Sequence, residues 1–118
     1  MRCPLNTQDV NRTIINALEE KKGEDILLMD VHEVASFTDY FVICNGTSDR
    51  MIDSLAEAVM IKVKQEHQIN SKPQGQSAGG WVVLDLGNTV VHLFSPDQRN
   101  YYRLEELWEH GKVLLRLK

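Results

Sequence analysis

The sequence predicts an α/β protein, a mixed sheet of four to five strands with helices packed against it. Three observations carry that prediction. Residues 26–31 and 40–44 are apolar runs without clean alternation, so both read as strands buried on two faces. Residues 7–22 and 48–67 repeat apolar side chains at helical spacing. Residues 81–86 and 89–94 flank Gly87-Asn88, and two strands around a Gly-first two-residue loop read as a tight hairpin.

Taken in order, the first helix has Thr7 or Asn6 as its cap and Asp9 in its first turn, where a carboxylate suits the dipole. Val10, Ile14, Ala17 and Leu18 form its apolar stripe, Lys21 and Lys22 suit its end, and Gly23 supplies the stop. Residues 34–39 read as a loop or one helical turn between the first two strands. Asn45-Gly46-Thr47-Ser48 then breaks the second strand, and Ser48 or Thr47 caps a long helix to about residue 67. Its stripe is Ile52, Leu55, Ala56, Val59 and Val63. Residues 68–80, with Pro73, Gly75, Gly79 and Gly80, are mostly loop, with room for a short strand near 69–74. After the hairpin, Ser95-Pro96-Asp97-Gln98 gives a cap, a proline at the first position and a glutamine three residues on, which starts a last helix. Leu104, Leu107 and Trp108 are its stripe, and Gly111 ends or interrupts it. The domain is expected to span 7–110, with 1–6 a leader and 111–118 a tail.

Composition narrows the function. The 118 residues are 42% hydrophobic and 25% charged, as in one ordinary globular domain. The net charge is −4, whereas a chain that grips phosphates is usually basic. Little direct nucleic-acid contact is therefore expected, while a basic protein partner fits the charge. Cys3 and Cys44 have no metal or redox spacing, and His32, His67, His92 and His110 contain no i,i+4 pair. No cofactor or metal is expected. Neither a signal peptide nor a membrane-spanning apolar stretch is apparent, so the expected location is the cytoplasm.

The hairpin register follows from its turn. Leu86 should pair with Thr89, Asp85 with Val90, Val83 with His92 and Trp81 with Phe94. One face then carries Val82, Leu84, Leu86, Thr89, Val91 and Leu93, and must be core. The other carries Trp81, Val83, Asp85, Val90, His92 and Phe94. A mixed face with a tryptophan has the composition of a binding patch; the alternative is that a helix covers it, with Asp85 and His92 hydrogen-bonded inside. Asp85 and His92 are diagonal neighbours, but no Ser or Cys alternates onto their face, so a catalytic pair lacks a nucleophile. Arg99, Tyr101, Tyr102, Arg103 and Trp108 are of the types that dominate interfaces. Trp108 is expected in the core, with Arg99 and one tyrosine exposed. The Gly46-Thr47-Ser48 turn before a helix could hold a phosphate. With Asp30 and Asp39 it supports a second reading, a degenerate nucleotidyltransferase-like nucleotide-binding protein, although the carboxylates are scattered.

Three ordered blocks resemble the Iojap-like ribosomal silencing factors. They are the continuous runs 39–50 (DYFVICNGTSDR) and 81–94 (WVVLDLGNTVVHLF), and Arg99-x-Tyr101-Tyr102-x-Leu104-Glu105-x-Leu107-Trp108. Lys22-Gly23-Glu24-Asp25-Ile26 and Asp30-Val31 fit as well, so the resemblance covers roughly 8–109. It implies a nucleotidyltransferase-like fold without the catalytic carboxylates, and a translation repressor rather than an enzyme. Such proteins bind the large ribosomal subunit through its ribosomal protein fourteen and block joining of the small subunit when nutrients are scarce; some relatives aid large-subunit assembly. By motif, the resemblance implies a partner surface of Trp81, Asp85, His92, Arg99 and Tyr102. The chain departs from many relatives at Gln74 and Asn88, where acids are common. A homodimer through the same sheet face is a third reading.

Overall fold

A computed structural model describes residues 7–31, 38–102 and 112–117. Its elements are α1 (Thr7–Glu20), β1 (Glu24–Asp30), β2 (Tyr40–Asn45), α2 (Asp49–His67), β3 (Pro73–Gln76), a 3-10 turn (Ser77–Gly79), β4 (Trp81–Asp85), β5 (Thr89–Phe94), α3 (Pro96–Tyr102) and β6 (Lys112–Leu117). The strands form one sheet in the order β3-β4-β5-β2-β1-β6. Among the described strands only β2 and β5 run parallel; the other neighbours are antiparallel, so the sheet is mixed.

The absence of alternation in the first two strands has the expected cause. Ile26 to Met29 and Phe41 to Cys44 are all buried, because β1 and β2 lie inside the sheet with apolar groups on both faces. Even and odd positions serve different cores. Ile26, Leu28, Val42 and Cys44 join Ile14, Leu18, Leu55, Val59, Leu84, Val91 and Leu93 beneath α1 and α2. Leu27, Met29, Phe41 and Ile43 join Val31, Val90 and Phe94 on the opposite face, with Trp81 and Val83 packed against them. Thr89 is tolerated on the helix side because its hydroxyl donates to Asn11 Oδ1 of α1 at 2.6 Å.

The caps explain where the helices stop and start. Ser48 Oγ accepts from the Met51 amide at 3.1 Å, and the buried stripe of α2 is Ile52, Leu55, Ala56, Val59 and Val63. Ser95 Oγ accepts from the Gln98 amide at 3.3 Å and so opens α3. At the end of α1 the left-handed residue is Lys22, with φ 63°, not Gly23. Gly23 serves close packing instead: a Cβ there would lie 2.5 Å from Cys44 Sγ and 3.2 Å from the Leu18 carbonyl oxygen.

The hairpin pairs Trp81 with Phe94, Val83 with His92 and Asp85 with Val90, in the register read from its turn. Gly87 has φ 90°, which only glycine adopts without strain. The Asn88 carbonyl accepts the Asp39 and Tyr40 amides, both at 3.0 Å, and so ties the turn to the start of β2.

The expected four to five strands are corrected to six among the described residues. Residues 112–117, read as part of a tail, pair with β1 from Ile26↔Leu117 to Asp30↔Lys112. The apolar Val113-Leu114-Leu115 becomes an edge strand because β1 offers it a row of unpaired backbone groups. The short strand expected near 69–74 sits slightly later, at Pro73–Gln76, with its proline at the first position of the other edge.

Candidate partner-binding surface

The sheet face opposite α1 and α2 gathers an aromatic group across β2, β4 and β5. Trp81 opens β4 and is half-buried, while Phe94 opposite it is fully buried. Their rings lie 4.9 Å apart at 30°. His92 sits diagonally from Trp81 and is 8% exposed. Its Nδ1 accepts the indole Nε1–H at 3.3 Å. Phe41 of β2 meets the imidazole edge-on at 4.9 Å and 85°. Burial pushes the His92 pKa down to about 4, so the ring is neutral at ordinary pH. A neutral ring whose Nδ1 accepts must carry its proton on Nε2.

Asp85 lies at the other end of β4 and is exposed. Its Oδ1 accepts from the Gly87 amide at 2.9 Å, an Asx contact that shapes the turn. With that oxygen on Gly87 and His92 Nδ1 on Trp81, the two residues are not coupled as an acid–base pair.

Arg99 corrects an expectation. It was expected at the surface, but its side chain is 4% exposed. Nη1 donates to the Asp25 carbonyl oxygen at 2.6 Å and to Asn45 Oδ1 at 3.0 Å, and Nη2 lies 3.6 Å from Asp25 Oδ2. Arg116 of β6 closes on the same carboxylate through Nε at 3.0 Å and Nη2 at 2.9 Å. Asp25 itself has φ 49° beside an irregularity in the β1–β2 ladder; its carbonyl meets Arg99 and its carboxylate meets both arginines. Arg99 thus fastens α3 to the ends of β1 and β2. Asp25 and Asn45 were not singled out as its partners, since nothing in local spacing links positions so far apart. Tyr102 is the last residue of α3; only its backbone is described, and Trp108 falls outside the described residues.

The features behind the nucleotide reading are separated. Asp30, the last residue of β1, and Asp39 flank Tyr40 at the start of β2; the Tyr40 pKa is raised by burial and then by these two carboxylates. The Gly46-Thr47-Ser48 turn follows the end of β2. At about 3.3 Å per residue, the six-residue strand puts them roughly 20 Å apart. The turn's donors are also engaged: the Thr47 amide and hydroxyl both contact Met51 Sδ at 3.3 Å. Buried Cys44 is pushed up to about 12, chiefly by desolvation, so it is a packed thiol and not a nucleophile.

Comparison with known proteins gives a consistent result. Residues 4–116 match the family described as "Ribosomal silencing factor during starvation". A Bacillus subtilis protein named ribosomal silencing factor is 35% identical over 88% of this chain and 88% of its own length. A mouse protein named "Mitochondrial assembly of ribosomal large subunit protein 1" is 32% identical over 80% of this chain and 43% of its own. A crystal structure from Chromobacterium violaceum superposes with a TM-score of 0.84 at 33% identity, covering 89% of this chain and 88% of that one.

Proposed function

The chain belongs to the family of ribosomal silencing factors, and from that premise we propose that it represses translation by occupying the large ribosomal subunit and blocking the small subunit from joining. Its relatives carry the name of a regulator, not of an enzyme. The proposed docking site is large-subunit ribosomal protein fourteen, and the proposed setting is the cytoplasm under nutrient limitation. A further part in large-subunit assembly is supported by the name of the mouse relative. In this reading the sheet is a nucleotidyltransferase-like scaffold put to binding.

The observation that carries the proposal is the half-buried Trp81 indole, propped on Phe94 and hydrogen-bonded to His92. An aromatic group fixed by its neighbours but still partly accessible has the properties of an interface anchor. Asp85, exposed on the same strand, is placed to accept from a basic residue of the partner. Tyr102 is proposed as a further contact. Arg99 contributes by holding α3 in place, since its guanidinium is turned inward.

The test is sedimentation of purified protein with separated ribosomal subunits at physiological magnesium. Co-migration with the large subunit and reduced joining are expected. Trp81→Ala should weaken co-migration by about 2 kcal/mol while circular dichroism stays unchanged. Unimpaired subunit joining with no co-migration would remove the proposal. Light scattering across concentration separates the homodimer reading, because a dimer built on the Trp81 face would dissociate when the large subunit is added.

A further inference from the structure

We propose that His92 is a positioning residue for Trp81: its imidazole holds the indole in one orientation for docking and does not itself touch the partner. The inference rests on the docking reading above and specifies how its anchor is made.

The geometry allows His92 little else. Its ring is enclosed between Phe41, edge-on at 4.9 Å, and Phe94, stacked at 6.1 Å and 9°. The Nδ1 lone pair is engaged by the indole N–H. Nε2 is buried and has no hydrogen-bond partner among the described residues. A partner residue therefore meets the indole before it meets the imidazole. Keeping a buried N–H unpaired costs free energy, so packing alone would favour a phenylalanine at this position. What a phenylalanine cannot supply is an acceptor for Trp81. The hydrogen bond spans two strands, and with the Phe94 contact it fixes both the tilt and the rotation of the indole. An anchor held in its bound orientation loses less entropy on docking.

Three variants separate this role from direct contact. His92→Phe keeps an aromatic ring of similar shape and removes the acceptor. His92→Asn restores an acceptor near the position of Nδ1. Trp81→Phe removes the donor. Large-subunit affinity is expected to fall roughly fivefold to tenfold in His92→Phe, the loss of one neutral hydrogen bond, and to recover in part in His92→Asn. In a Trp81→Phe background, His92→Phe should cause no further loss, because the two act through one bond. An equal loss in both backgrounds would mean that His92 contacts the partner directly, and the proposal would fall.

A second readout does not depend on the ribosome. The Trp81 indole N–H resonance, identified by its disappearance in Trp81→Phe, should exchange slowly with solvent in the native chain and quickly in His92→Phe. Slow exchange in both overturns the positioning role even if the large subunit binds. Protection lost in His92→Phe, with no binding by any variant, overturns the docking reading and leaves the indole–imidazole bond standing.

Discussion

Arg99 and Asp25 are joined twice, through the backbone carbonyl at 2.6 Å and through the carboxylate at 3.6 Å, although 74 residues separate them in the chain. This pair fixes α3, and with it Tyr102, against the sheet. The guanidinium is buried and its Nη1 donates to both Asp25 and Asn45, so the pair carries more weight than a surface bridge.

Arg99→Ala should therefore destabilise the domain by about 3 kcal/mol in urea denaturation, because Asn45 and the Asp25 carbonyl lose their donor. Arg116→Ala, at the 41% exposed partner of the same carboxylate, should cost less than about 1 kcal/mol. A reversed order would place the structural role on β6 instead of α3.

Gly23→Ala introduces a Cβ only 2.5 Å from Cys44 Sγ. A loss of about 1–3 kcal/mol is expected from overpacking. Cys44→Ala alone leaves a small void. Combining the two should cost less than the sum of the singles, since each relieves the other. Additive losses would show that the Leu18 carbonyl is the obstacle.

Acid should weaken the fold through His92. The unfolded residue titrates near 6.5 and the folded one near about 4. As pH falls, the unfolded chain takes up the proton first. The neutral ring's contribution is full above 6.5 and is lost between 6.5 and about 4, amounting to no more than about 3 kcal/mol. Denaturation midpoints measured across that window should slope less in His92→Phe than in the native chain. Parallel curves would assign the slope to other groups.

The two sides of β6 should respond differently. Leu117 packs against the helix-side core, and its truncation to alanine should cost about 1–2 kcal/mol. Leu114 is 46% exposed, so Leu114→Ala should stay within about 0.5 kcal/mol. Equal effects in thermal denaturation would mean that Leu114 is covered in solution.

What the sequence by itself determined was local. Hairpin pairing from Trp81↔Phe94 to Asp85↔Val90 follows from a two-residue turn, because strand periodicity propagates its register. The α2 stripe and the Ser48 and Ser95 caps were legible because helix periodicity and capping act within a few residues. The three motif blocks are enough to mark the family, because they lie in continuous stretches of sequence. Only the tertiary structure decided which partners the polar groups found. It turned Arg99 inward to Asp25, set the His92 imidazole on the Trp81 indole, gave Gly23 its role against Cys44, and brought 112–117 to β1 as a sixth strand. Each of these contacts joins distant parts of the chain or neighbouring strands through a side-chain orientation. Spacing along one segment carries no record of either, and burial then decides which of the available partners a charged or polar group must take.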